Sequence, residues 1–188
     1  FCWNSVHKTR IKIRNQNMYN RVKRMSGMLL PGFLLLLFFG SAATAQQTPF
    51  PPPNQLQVFG MQELNFGSFS TGASGGTIVI TPEGFRTSTG SVILMGGNFS
   101  QAIFEVKLIP GRLVHIILGP QIQLTRMGGG GSMDMQVGPA DKGTSFVTSG
   151  GHPFYNPVQV GGTLYVGSSV ANPAGEYEGQ FSVTFIQE

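Results

Sequence analysis

Apolar residues in this chain recur at every second position, in short runs that Gly and Pro separate. The last run, "EYEGQFSVTF", places Tyr177, Phe181 and Phe185 on one face and acidic or polar residues on the other. Such alternation has the two-residue period of a β-strand, whereas a helix would repeat every 3.6 residues. After residue 55, no segment of helical length carries a helical stripe of apolar residues. The pattern therefore predicts an all-β fold.

Strand-like runs follow one another from residue 56 to the end of the chain. The runs "QAIFEVKLI" (101–109) and "SMDMQV" (132–137) alternate, as half-buried strands do. The runs "GTIVITP" (76–82) and "RLVHIIL" (112–118) are apolar on both faces, as in strands covered on both sides. Short strands that repeat every 8–12 residues or so are typical of sandwiches. We predict an immunoglobulin-like antiparallel β-sandwich of about eight or nine strands, formed by one domain over residues 56–188.

Positive charge is concentrated before the predicted domain. The formal net charge is +4, but seven of the twelve Lys and Arg residues precede residue 25. The rest of the chain holds five Lys and Arg residues and all eight Asp and Glu residues, a net charge of −3. Proteins that bind nucleic acid usually carry a basic surface. The charge distribution therefore predicts no nucleic-acid partner for the domain.

Residues 18–45 have the three-part organisation of a secretory signal peptide. A positive stretch, an apolar stretch and a stretch of small residues follow in order as "MYNRVKR", "MLLPGFLLLLFFG" and "SAATA". Small residues at Ala43 and Ala45 form the A-x-A pattern that predicts cleavage after Ala45. The apolar stretch is shorter than the ~20 residues that a membrane-spanning helix needs. We therefore expect the chain to contact a membrane only through its signal peptide, during export.

The segments on either side of the signal peptide are expected to lie outside the folded domain. Residues 1–17 are interpreted as an untranslated or disordered upstream segment. Residues 46–55, "QQTPFPPPNQ", are polar and Pro-rich, which is typical of an extended leader or tether. The only Cys is Cys2, so the mature chain that cleavage would produce is free of cysteine. Neither a disulfide nor a Cys-ligated metal is expected there.

Several phrases of the sequence carry, in order, a resemblance to a known family. They are "LNFGSF" (64–69), "GTIVITPEGFRTSTGSVIL" (76–94), "GGGGSMDM" (128–135), "VGGTLYVG" (160–167) and "NPAGEYEGQFSVTF" (172–185). Together they resemble the bacterial secreted family called domain of unknown function 4402, over nearly all of residues 56–188. The resemblance implies an exported bacterial β-sandwich. It implies no catalytic residue, because the family carries no established activity.

The end of the chain also resembles, more loosely, fimbrial subunits of the chaperone–usher type. Their last strand alternates apolar residues, with a Gly near the fourteenth position from the end and an aromatic residue next to last. Gly175 matches the first position, whereas Gln187 departs from the second, and the paired Cys residues common in such subunits are absent. The candidate residues for pairing of this strand with another chain are Gly175, Tyr177, Phe181, Val183 and Phe185.

Each residue that could take part in catalysis or metal binding also has a simpler structural interpretation. Ser74 fits G-x-S-x-G in "GASGG", but that motif needs a strand-to-helix turn and the next run predicts a strand. His115 has no further ligands spaced nearby and is expected to be packed or hydrogen-bonded. Met133 and Met135 alternate with polar residues, which favours core positions over a soft-metal site. We therefore predict no catalytic residue, no cofactor and no metal.

Two classes of function remain open from the sequence. The first is an exported, non-enzymatic structural or interaction module of the bacterial cell envelope or surface, of which a fimbria-like or matrix subunit is one form. Its destination would be the periplasm, the outer surface or the extracellular medium, and its partners would be copies of itself or other envelope proteins.

The alternative is a carbohydrate-binding or adhesion module that uses the irregular stretch 138–157. Aromatic side chains beside polar groups can stack on a sugar ring, and loops carry binding residues more often than strands do. The candidate ligand contacts are His152, Phe154 and Tyr155. In the simpler interpretation, Phe154 and Tyr155 cap the open end of the sandwich.

Overall fold

Strands make up all of the regular secondary structure in the described part of the chain. A computed structural model describes residues 54–149 and 154–188, together with the backbone course of residues 3–14. The strands are β1 (Trp3–Arg14), β2 (Gln57–Gln62), β3 (Phe69–Thr71), β4 (Gly76–Ile80), β5 (Arg86–Ser88), β6 (Val92–Leu94), β7 (Ala102–Lys107), β8 (Leu113–Leu118), β9 (Ile122–Arg126), β10 (Ser132–Ala140), β11 (Ser145–Val147), β12 (Tyr155–Val166) and β13 (Glu176–Gln187). The all-β prediction is confirmed. Within these ranges, no helix is long and apolar enough to cross a membrane.

The strand count agrees with the sequence once the shortest strands are set aside. Strands β3, β5, β6 and β11 have three residues each, and β1 precedes the predicted domain. Eight longer strands then remain within residues 56–188. Of the four short strands, β6 lies in the apolar run "SVILMG" (91–96), which predicts a strand, whereas β3, β5 and β11 had no clear signal because three residues are too few for an alternating pattern to stand out.

Antiparallel pairing joins most strands into one continuous path. Its order is β11–β8–β13–β9–β10–β12–β4–β5, while β3 and β6 form a separate pair. The first half of β12 pairs with β7 and the second half with β4, and β7 also pairs with β2. Gly161 lies where β12 changes partner, and a Cβ there would overlap the carbonyl oxygen of Ile80. A side chain at this position would therefore push β12 away from β4.

The two layers of the sandwich meet through aromatic rings. On β7, Ala102, Phe104 and Val106 are fully buried, as the alternation in "QAIFEVKLI" predicted. The ring of Phe104 lies edge-on to Phe181 of β13, with 6.4 Å between centroids, and is tilted against Phe185 at 5.7 Å. Since β7 and β13 are not hydrogen-bonded neighbours, these contacts cross the core. The β-sandwich prediction is thereby confirmed.

The stretch 138–157 is more regular than the sequence indicated. Strand β10 continues to Ala140, Ser145–Val147 forms β11 on the edge of β8, and β12 begins at Tyr155. The Gly and Pro residues at 138 and 139 suggested the end of a strand. They instead coincide with a register shift between Val137 and Ala140, after which β10 still pairs with β12. The expected long loop was therefore wrong in extent, because a β-bulge accommodates residues that would otherwise end a strand.

A buried hydroxyl fastens the turn between β7 and β8. Thr148, only 1% exposed, donates a hydrogen bond from Oγ1 to the carbonyl of Ile109 at 2.6 Å. The same oxygen accepts the backbone N–H of Arg112 at 3.0 Å. The backbone carbonyl of Thr148 also accepts the N–H of Gly111 at 2.8 Å. One side chain thus ties the segment after β11 to both sides of the turn.

Replacing Thr148 with Val is expected to lower the free energy of unfolding by about 1–2 kcal/mol. The substitution keeps the shape of the side chain but leaves the Ile109 carbonyl and the Arg112 amide without that partner. Urea unfolding followed by circular dichroism measures the change. Thr125→Val, on the exposed face of β9, is the matched control and should change stability by less than about 0.5 kcal/mol. Equal effects of the two substitutions would contradict the assignment.

Strand β1 lies along the whole length of β13. Twelve residue pairs join them, from Trp3 opposite Gln187 to Arg14 opposite Glu176. The other edge of β13 pairs with β8 and β9, and β1 also lies close to β2. The interpretation of residues 1–17 as an upstream segment stays a prediction. The pairing shows which edge of β13 accepts a further strand.

Candidate functional site: the edge of β13

The apolar side chains of β13 belong to the core of this chain. Tyr177, Phe181, Val183 and Phe185 are at most 2% exposed, as the alternation in "EYEGQFSVTF" predicted. Gly179 shares their face, and a Cβ there would lie 2.6 Å from Leu124 Cδ2, so β9 packs closely over it. These side chains are therefore not available as a surface for another protein. What β13 can offer a second chain is its backbone edge.

Gly175 has a role within the chain that requires no partner. It directly precedes β13, and the Arg126 side chain occupies the space that a Cβ would take. Arg126 donates from Nε to the carbonyl of Ala174 at 3.0 Å and from Nη1 to the carbonyl of Gly129 at 2.8 Å. The absence of a side chain at Gly175 lets Arg126 fasten this loop. The match to the fourteenth-from-end glycine of fimbrial subunits thus has a local packing explanation.

Tyr177 ties the start of β13 to the loop before it. Its hydroxyl donates a hydrogen bond to the carbonyl of Pro173 at 2.7 Å. Burial raises the pKa of Tyr177 above its ordinary value of 10, and the nearby charge of Arg126 partly opposes that effect. The hydroxyl therefore remains a neutral donor over the whole physiological pH range.

Replacing Tyr177 with Phe is expected to lower the free energy of unfolding by about 1 kcal/mol at pH 7, since one buried hydrogen bond is lost. The raised folded-state pKa adds a pH dependence. Because the folded protein holds this proton more tightly than the unfolded chain, wild-type stability falls as the pH rises above about 10. The decline should be shallower in Tyr177→Phe. Urea unfolding between pH 7 and 11 measures both effects.

Tyr165→Phe is the matched control, because Tyr165 is 45% exposed and the substitution removes the same group. Its unfolding free energy at pH 7 should lie within about 0.5 kcal/mol of the wild type. If Tyr165→Phe also flattened the alkaline decline, that decline could not be attributed to Tyr177.

Acidic residues mark one end of the β13 edge. Glu176 and Glu178 lie on the outer face of the strand, opposite to the buried aromatic residues, and are partly exposed. The register of β1 sets Arg14 opposite Glu176 and Lys12 opposite Glu178. Any strand with cations at these two register positions would set opposite charges across an antiparallel pair, which favours pairing. The edge is therefore matched in charge to a cationic strand.

The predicted ligand contacts are only partly described. His152 lies outside the described residues. Phe154 is half-buried, with a left-handed φ of 71°, and its carbonyl accepts a hydrogen bond from Asn156 Nδ2 at 3.1 Å. Tyr155 opens β12 and is 42% exposed, with Lys107 Nζ 5.6 Å from its ring centroid. Tyr155 is thus accessible, although an ammonium group already lies over its ring.

A shallow groove of about 340 Å³ lies elsewhere on the surface. Its lining includes Gln123, Asp134, Tyr165 and Asn172. The register places Asp134 between Gln123 on β9 and Tyr165 on β12. Sequence reasoning missed this groove because these residues are far apart in the chain and only the sheet register brings them together. The groove presents an aromatic ring beside carboxylate and amide groups.

The residues considered for catalysis or metal binding lie in ordinary structural positions. Ser74 is exposed and leads into strand β4, whereas the G-x-S-x-G motif requires a helix at that point. His115 Nε2 lies 3.1 Å from Glu188 Oε1 near the protein surface. Met133 and Met135 are buried in the core, as predicted. In the described ranges, no three His, Cys, Asp or Glu residues are grouped to hold a metal ion.

Comparison with known proteins identifies a family and gives no finer description. The model of the family described as Domain of unknown function (DUF4402) matches residues 56–186. Searches of curated proteins and of solved structures each returned no match. The family match confirms the resemblance carried by the phrases between residues 64 and 185.

Proposed function

Because the chain belongs to the family described as Domain of unknown function (DUF4402), we propose that it is an exported, non-enzymatic structural or interaction module of the bacterial cell envelope. The signal-peptide organisation of residues 18–45 supports export. The single observation that carries an interaction role is the edge of β13, on which a strand of twelve residues is paired throughout. Strand addition to a sheet edge is a recurring mode of protein recognition.

The polar residues buried in the described part of the chain support a structural role. Asn156 donates from Nδ2 to the carbonyl of Val106 at 3.3 Å, and its Oδ1 accepts the N–H of Ser149 at 3.0 Å. Thr148 and Asn172 likewise bond to the backbone of segments that are distant in sequence. Their hydrogen-bonding groups hold loops in place, which favours a scaffold. A fimbria-like or matrix subunit is one form that such a scaffold could take.

Export is tested by expressing the full chain, with a C-terminal tag, in a bacterial host. We expect a processed product that begins at Gln46 and is recovered from the periplasm, the envelope or the medium. Ala43→Asp together with Ala45→Asp should block processing, because the cleavage site needs small residues. Ala42→Asp, outside the A-x-A positions, is the matched control. An unprocessed wild-type product in the cytoplasm would refute the proposal.

A carbohydrate-binding or adhesion role is the second candidate, favoured by the exposed ring of Tyr155 at the start of β12. If this role holds, Tyr155→Ala and Phe154→Ala should abolish binding on a glycan array. Tyr165→Ala, which removes a similarly exposed ring from the separate groove, is the matched control. An array without any bound glycan, or binding that Tyr155→Ala leaves unchanged, would exclude this candidate.

A further inference from the structure

We infer that the outer edge of β13 is a docking site for an extended, cationic strand of a second polypeptide, exposed once the leader is removed. This inference rests on the proposed function, since it requires export with cleavage after Ala45. It adds the location of the interaction, its geometry and the chemistry of the partner.

The geometry comes from the pairing of β1 with β13. The register runs without a shift through all twelve residues of β13. By contrast, the pairing of β2 with β7 contains an irregularity between Gly60 and Gln62. The opposite edge of β13 is already paired with β8 and β9. The edge that holds β1 can therefore accept a full-length antiparallel strand without rearrangement of its neighbours.

Cleavage after Ala45 would separate this strand from the folded domain. The buried hydrophobic cluster that the structure describes draws its members from Leu56 to Phe185, so the exported domain keeps that core. Strand β13 would then present a row of backbone N–H and C=O groups without strand partners along its outer edge. An open edge of this length is a template for another strand. Export would thus convert an occupied edge into an available one.

Charge identifies the kind of strand that fits. Arg14, Lys12 and Arg10 fall opposite Glu176, Glu178 and Gln180 in the register. A matching strand therefore carries Lys or Arg at alternate positions, so that cations meet the two carboxylates. After residue 45, the Lys and Arg residues are Arg86, Lys107, Arg112, Arg126 and Lys142. No two of these are two positions apart, so a second copy of the processed chain supplies no such strand.

The test uses the exported, processed protein and a synthetic peptide of residues 3–14, WNSVHKTRIKIR. The only Trp of the chain is Trp3, so the processed protein has none and the peptide reports its own binding by fluorescence. We expect saturable binding, with a rise in anisotropy. A peptide with Lys12→Glu and Arg14→Glu should bind about tenfold more weakly, since two attractive cross-strand pairs become repulsive.

Charge reversal on the protein locates the binding site. Glu176→Lys with Glu178→Lys should weaken binding of the native peptide and restore binding of the charge-reversed peptide. Glu105→Lys, a change of the same charge on β7, is the matched control and should leave the preference for the native peptide unchanged. A protein variant that prefers the charge-reversed peptide requires the predicted register. Nonspecific electrostatic attraction would instead change peptide binding equally in the Glu105→Lys control.

Three results would overturn the inference. They are a processed, folded protein that does not bind the peptide, equal binding of both peptides, and dimers of the protein alone that Ser182→Cys links through a disulfide at the β13 edge. The last result would assign the edge to a second copy. A processed protein that does not bind the peptide refutes this inference alone, whereas an unprocessed cytoplasmic chain refutes the proposed function.

Discussion

Replacing Phe104 with Ala is expected to lower the free energy of unfolding by about 4 kcal/mol. Phe104 is fully buried on β7, and its ring contacts Phe181 and Phe185 of β13 from across the core. Truncation removes a large apolar side chain from the core and leaves a cavity that the rigid sheets can fill only in part. The loss would be a large share of the stability of a domain of this size.

Urea unfolding at pH 7 measures this change, with Phe85→Ala as the matched control. Phe85 is 68% exposed, so its truncation should cost less than about 0.5 kcal/mol. Combining Phe104→Leu with Phe185→Leu should reveal a coupling of about 0.5–1.5 kcal/mol, because the two rings are in contact. If Phe104→Ala cost no more than Phe85→Ala, β7 and β13 could not pack against each other as described.

The inward-facing residues could be predicted because alternation is local information. A strand repeats every two residues, so the pattern in "QAIFEVKLI" is sufficient to place Phe104 and Val106 inward without knowledge of the neighbouring strands. The same reasoning correctly placed Phe181 on β13 and Met135 on β10 in the core. Fold class and core membership both follow from this short-range pattern.

Register and partners could not be predicted, because they depend on residues far apart in sequence. The pattern of β13 was compatible both with completing its own sheet and with pairing to another chain. The two possibilities are not exclusive: its side chains face the core, while one backbone edge accepts β1. Which edge is available depends on where β8 and β9 lie, and the groove beside Tyr165 likewise depends on register.

The buried polar side chains that hold loops in place could not be predicted from the sequence for the same reason. Thr148 and Asn172 lie in stretches rich in Ser, Gly and Pro, where polar residues ordinarily indicate exposed loops. Their importance comes from carbonyls about forty positions away, since Thr148 bonds to Ile109 and Asn172 bonds to Ser132. A single sequence does not show such long-range side-chain to backbone contacts.

The side chain of Asn172 makes three hydrogen bonds to the backbone, and its loss should have the second largest effect. Its side chain is 5% exposed and lies in the loop that leads into β13. Nδ2 donates to the carbonyl of Ser132 at 2.5 Å and to the carbonyl of Ala171 at 3.1 Å, while Oδ1 accepts the N–H of Gly167. One amide group thus joins the loop to the start of β10 and the end of β12.

Replacing Asn172 with Ala is expected to lower the free energy of unfolding by about 3 kcal/mol, because each buried backbone group left without a partner costs about 1–3 kcal/mol. Asn172→Asp should cost at least as much at pH 7, because its carboxylate keeps an acceptor for Gly167 but buries a charge and sets an acceptor oxygen against the carbonyls of Ser132 and Ala171. Asn98→Ala, at an exposed position, is the matched control and should leave urea unfolding unchanged. If Asn172→Ala were no more destabilising than Asn98→Ala, the three bonds of the Asn172 side chain would not hold the loop before β13 in place.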